Sequence, residues 1–273
     1  MRARHALPVV LLLALTGCQG GGSSGSAGSS APLVVATGSP TVPLGDAKPR
    51  PTTAGTLDAS QLASREREAI LARRTVRIDA RTSTGVSTTS VLRVGTQVEA
   101  SVTTKGAVTT RIVILKGVPY LNPGKVVHGK HWLRLDGPAA DATMDSLKVQ
   151  LDLIQRQFDP EVMVDGLRGI QATAKPGPTV DGVPTVAYTY RLTDRQLVAA
   201  LPAAARAKLG PGLTGVTTVT TEYLDAAWLP HREVQVTTTA SGRRTTVTRT
   251  FTRWGSPVVI TAPPASDVTT SLS

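Results

Sequence analysis

From Arg74 onward apolar residues recur at every second position, and this alternation limits the chain more than any other feature. Val76, Ile78 and Ala80 alternate with Arg77, Asp79 and Arg81. Val94, Val98, Ala100 and Val102 share one parity, and Val108, Thr110, Ile112 and Ile114 follow after a turn at Lys105-Gly106. Val186, Tyr188, Tyr190 and Leu192 alternate with Thr185, Ala187, Thr189 and Arg191. Val219, Thr221 and Tyr223 continue the pattern, as do Val234 and Val236. A period of two with one polar face specifies antiparallel strands wetted on one side. Threonine fills many polar positions, as suits a pleated, half-exposed surface. Hairpin turns are expected at Ser83-Thr84-Gly85, Asp181-Gly182 and Ser241-Gly242.

Helical periodicity interrupts the strands. Met144, Leu147, Leu151, Ile154 and Phe158 recur at spacings of three and four, with Asp141 or Thr143 to cap the start and Pro160 to end it. That stripe fits ordinary core, and equally the lid or wall of a lipid-sized cavity, because both demand the same pattern. A second helix is expected from Thr193 to Leu209, broken or kinked at Pro202. A third spans Leu57 to Ala72. The fold class is α+β: a long antiparallel sheet with helices covering one face.

The first residues set the location. Arg2 and Arg4 precede the apolar run Leu7 to Leu15, which is too short to span a bilayer. Leu15-Thr16-Gly17 then places small residues before Cys18, the only cysteine in the chain. This is the order of a cleaved signal peptide, with a thiol placed to accept a diacylglyceryl group. A single exported thiol cannot form an internal disulfide, and lipidation accounts for it. Two acyl chains anchor firmly where one holds only marginally. The expected organisation is a signal peptide at 1–17, a lipidated Cys18 opening a Gly/Ser/Pro-rich stalk at 18–56, one domain at 57–268 and a tail at 269–273. The expected location is the extracytoplasmic face of the cell membrane.

Cleavage removes Arg2 and Arg4, so the net charge falls from +11 to +9. A basic surface suits anionic head groups or acidic envelope polymers, and equally plain solubility. Aromatics at 3% leave few stacking platforms, which argues against nucleic acid. No phosphate-cradling Gly-rich loop, Gly-x-Ser-x-Gly elbow outside low-complexity sequence, or Ser-x-x-Lys is present. His128 and His131 are two imidazoles without a nearby acidic or sulfur partner, and are expected in a polar loop leading into Trp132–Asp136. Asp79, Glu99, Asp165 and Glu222 are expected as scattered, solvated carboxylates. No catalytic residue, metal site or cofactor is expected.

Three segments resemble the LppX/LprG type of actinobacterial lipoproteins. They are Val118-Pro119-Tyr120-Leu121 with Gly129–Asp136, Tyr223–Arg232, and Phe251–Pro264 with its Trp254-Gly255-Ser256-Pro257 and Ala262-Pro263-Pro264 elements. The resemblance spans most of residues 60–268. Tyr223 stands where that family often has tryptophan, and Arg253 where it often has an acidic residue. The resemblance implies a strongly curved sheet, a half-barrel with helices on its concave side, holding acyl chains of a lipid or glycolipid between sheet and helices. On that basis Met144, Leu147, Leu151, Ile154 and Phe158 are the lipid-cavity candidates, and an envelope transport partner is implied. The alternative is an envelope adaptor or sensory domain that binds a protein and no lipid.

Cys18→Ala is predicted to leave the domain folded and to release it from membranes, measured by fractionation in high salt with an acyl label. Membrane retention without label would show that something other than Cys18 holds the protein.

Overall fold

Backbone pairing joins the alternating segments into one thirteen-stranded sheet in the computed structural model, which describes residues 54–95, 97–137, 167–201 and 203–270. Strands β2 (Thr75–Thr82), β3 (Ser87–Val94), β4 (Val98–Lys105), β5 (Thr109–Leu115), β6 (Val118–Asn122) and β7 (Trp132–Arg134) form one antiparallel meander. A second meander contains β8 (Gln171–Val180), β9 (Val183–Leu192), β10 (Thr217–Leu224), β11 (Pro230–Thr238) and β12 (Arg244–Thr252). Strand β12 pairs with β2 and fuses the two. Edge strand β1 (Gly55–Asp58) pairs with β8, and β13 (Val268–Thr269) lies parallel to β7. The result is a large curved sheet that does not close.

Local chemistry explains the turns. Asp181 and Gly182 both adopt positive φ, at 49° and 81°, as a two-residue hairpin loop requires. The Ser83–Gly85 and Ser241-Gly242 turns form where the sequence places them. Strand β8 tolerates Pro176 and Pro178 because β1 pairs it only through Ala174, so the missing N–H groups fall beyond β1. Its register shifts between Pro176 and Thr179. A Cβ on Gly177 would lie 2.6 Å from the Thr185 hydroxyl, so glycine fits there.

Three helices are described. α1 (Ala59–Arg73) is capped by Asp58, whose carboxylate accepts the Ser60 N–H at 2.8 Å. It ends at Arg74, in the left-handed region at φ 64°. α2 (Asp194–Ala200) opens with a capping box between Thr193 and Gln196. α3 (Ala203–Leu209) follows, so the expected helix is interrupted between Ala200 and Ala203. The expected helix around 144–158 lies outside the described residues.

α1 joins β1 at one edge to β2 in the centre, so it crosses β8, β9, β10, β11 and β12. Six strand spacings amount to roughly 29 Å, and a 15-residue helix reaches about 22 Å along its axis. A curved sheet shortens the span to be bridged, and α1 fits it.

The face that α1 covers, called the inner face below, carries two apolar clusters. One gathers Ala59, Leu62 and Ala63 of α1, Leu197 of α2, and Ala172, Tyr188, Tyr190, Leu192 and Leu224 of the sheet. The other gathers Val76, Ile78, Leu92, Ala100, Ile114, Leu133 and Leu135, with Phe251 and Trp254 against it. Between them the alternation inverts. On β10, Thr218, Thr220 and Glu222 face inward and Val219 is 37% exposed. On β11, Glu233 and Gln235 are buried, and Val234 and Val236 only partly so. The face that sequence assigned by its valines is the outer one here, because hydrogen bonding rather than hydrophobicity buries the other. Leu62→Ala is predicted to cost roughly 2–5 kcal/mol, and Val219→Ala about 0.5 kcal/mol or less, read as urea midpoints.

Candidate functional site

The inverted strands bring polar side chains together beneath α1. Register places Tyr188, Glu222, Glu233, Arg249 and Ala80 side by side across β9, β10, β11, β12 and β2. The next inward row is Tyr190, Thr220, Gln235, Val247 and Thr82. Glu66 of α1 descends onto the first row and is buried. Glu66, Glu222 and Glu233 are three of the six glutamates in the chain.

Each strand contributes one link. The Tyr190 hydroxyl donates to Glu222 Oε1 at 2.7 Å. The Arg249 guanidinium donates to Glu233 and, at 3.2 Å, to Gln235 Oε1. Glu66 and Glu222 hydrogen-bond one another. Thr220 Oγ1 is buried without a hydrogen-bond partner. Glu222 and Glu233 are direct cross-strand neighbours of like charge, an arrangement that is unfavourable unless neutralised.

Electrostatics follow from burial. Loss of hydration, then the charges of Glu222 and Glu233, push the Glu66 carboxyl well above its ordinary range. Burial and Glu233 push Glu222 up to about 7, against the opposing pull of Tyr190, Glu66 and Arg249. Glu66 therefore carries the proton and donates to Glu222. Burial and the same carboxylates raise the Tyr190 phenol, which stays neutral as a donor. Among the described residues of the row, Arg249 carries the positive charge, and it is paired with Glu233. This arrangement can hold a proton among buried side chains. Among the described residues no three His, Cys, Asp or Glu side chains group to hold a metal ion.

The segment Tyr223–Arg232 spans the connection between β10 and β11, next to this row. Asp225 accepts N–H bonds from Ala227 at 2.8 Å and Leu229 at 3.0 Å, and its other oxygen meets His231 Nε2 at 3.0 Å. This turn holds Trp228 at φ 64°. Arg65 of α1 stacks over the Trp228 ring, 5.1 Å from its centroid. Trp254 stacks on Phe251 and donates to the Pro230 carbonyl at 3.0 Å. His131 binds Asp267 through its N–H and ring Nδ1, pinning the chain beside β13. His128 sits in the turn before it, so the 128–131 segment is the loop the sequence indicated.

Glu222 is not the solvated carboxylate expected from sequence, because its parity faces the covered side of the sheet. Asp79 and Glu99 are surface partners of Arg77 and Arg93. Asp165, Cys18, Met144, Leu147, Leu151, Ile154 and Phe158 lie outside the described residues.

No family model and no curated protein matches the chain. Among solved structures it is similar to LprF from Mycobacterium bovis, with a TM-score of 0.47 and 16% identity, over 75% of this chain and 96% of that one. LprF is a lipoprotein of the LppX/LprG type.

Arg249→Met is predicted to destabilise the fold by roughly 3–5 kcal/mol, because Glu233 is left buried without its cation. Adding Glu233→Met should recover most of that loss. Urea midpoints of the two variants check this, and equal destabilisation would contradict it.

Proposed function

We propose that this chain is a lipoprotein, anchored through Cys18 on the extracytoplasmic face of a membrane, that holds the acyl chains of a lipid or glycolipid against the inner face of its sheet. The observation that carries the reading is the apolar cluster on β2 to β7, to which no described helix contributes. That cluster forms an aliphatic floor of Val76, Ile78, Leu92, Ile114 and Leu133, all of them buried. A ligand with acyl chains suits such a floor. Each methylene is worth about 0.8 kcal/mol on burial, so a chain of some sixteen carbons needs on the order of 10 kcal/mol of apolar contact to leave a bilayer.

Strands β7 and β8 lie toward opposite ends of the sheet order and are joined by residues 135–170. In this proposal the stripe Met144, Leu147, Leu151, Ile154 and Phe158 in that connection faces the aliphatic floor, with the acyl chains between. The stalk, roughly 30–35 Å in root-mean-square reach, lets the domain move over the membrane while tethered. No helix among the described residues is long and apolar enough to cross a membrane.

The test combines native mass spectrometry of the protein from its own type of cell with titration of a fluorescent fatty-acid probe. Co-purifying lipid and saturable probe binding are expected. Leu151→Trp is expected to keep the urea midpoint and weaken the probe at least several-fold. If no lipid co-purifies and the probe does not saturate, the carrier reading fails and a protein-binding adaptor replaces it.

A further inference from the structure

α1 is held at both ends and seated in the middle by one polar residue. At its start Asp58 accepts the Gly169 N–H at 3.0 Å, and the Ala59 N–H donates to the Ile170 carbonyl at 2.7 Å. At its end the Arg74 carbonyl accepts the Val94 N–H at 2.6 Å. Its buried residues are Ala59, Leu62, Ala63 and Glu66. The fully buried apolar contacts therefore sit in the first half; beyond them Glu66 is the one fully buried residue of α1, with Ala69 only partly buried against the core. We propose that α1 is a proton-latched strap: a proton held between Glu66 and Glu222 seats the helix on the sheet, and its loss releases the helix between its fixed ends and exposes the inner face.

The groups facing Glu66 decide the sign. They are Tyr190 on β9, Glu222 on β10, Glu233 on β11 and Arg249 on β12. On α1 itself Arg65 and Glu68 are exposed and Arg67 is half-buried. One arginine faces three carboxylates, so a second unneutralised charge in the row meets repulsion in a poorly screened interior. The buried, unpartnered Thr220 hydroxyl lies on the same face as Glu222, two residues away, and gives a shifted carboxyl a new partner.

The seated form binds more protons than the released form, since burial raises both Glu66 and Glu222. Stability from the latch is complete below the ordinary carboxyl value of 4.5 and falls as pH rises through about 7 and above. The device needs no ligand, so it stands or falls separately from lipid binding.

The experiment is hydrogen exchange of the full chain from pH 5.5 to 8.5, corrected for intrinsic rates, comparing residues 59–73 with the β4–β5 hairpin. One proton lost on release changes the opening equilibrium by up to about tenfold per pH unit. Protection of α1 is therefore expected to fall by about tenfold or more across the range while the hairpin stays level. Glu66→Gln can still donate to Glu222 and cannot lose a proton, so its α1 protection should fall less steeply than in the wild type, with Glu222 alone left to titrate. A flat wild-type profile overturns the proposal, as does a Glu66→Gln variant with the wild-type slope. Should that variant fail to fold, the wild-type profile alone decides.

Discussion

A carboxyl-to-carboxylate hydrogen bond under a crossing helix is the constraint on which the rest of the structure depends. α1 must span five strands to carry the chain from the edge to the centre of the sheet. Where it passes over β10 and β11, the strands present Glu222 and Glu233 instead of valines. Burial of three carboxylates with one arginine is tolerable only with a proton retained and with Tyr190, Gln235 and Arg249 as partners. The inverted parity of β10 and β11, the seating of α1 and the pairing of β12 with β2 are thus one interlocked solution.

This polar row also divides the inner face. On one side α1 and α2 close over an aromatic-rich cluster around Tyr188, Tyr190 and Trp228. On the other side lies the aliphatic floor of β2 to β7. The proposed carrier uses the second region for acyl chains, and the first is the region that α1 covers. A latch between the two places control of access at the boundary, where a small change of charge has the greatest mechanical effect.

Much of this architecture was legible in the sequence. Period-two alternation gave the strands, Pro202 the break between α2 and α3, and Asp181-Gly182 a hairpin turn. The four-residue β1 and two-residue β13 were too short to carry a pattern, and their pairing is set by tertiary contacts. The inversion on β10 and β11 was misread because alternation reports which face is apolar, not which is buried. A signal was present: Thr218, Thr220, Glu222, Glu233 and Gln235 share the inward parity of their strands. The proximity of Glu66 to them was not legible, since it depends on how far a helix reaches across a curved sheet. Cys18 and the 144–158 stripe rest on sequence pattern and on the resemblance of the flanking motifs.

The claim that the inner row retains a proton is tested most directly by carboxyl carbon-13 NMR. With only six glutamates, each side-chain signal can be followed from pH 4 to 9 and assigned with Glu66→Gln and Glu222→Gln. The Glu66 and Glu222 signals are predicted to remain in the protonated range well above the ordinary 4.5, with Glu222 moving near pH 7. Titration of both residues near 4.5 would contradict the claim and would leave α1 held by Leu62 and its alanine neighbours alone.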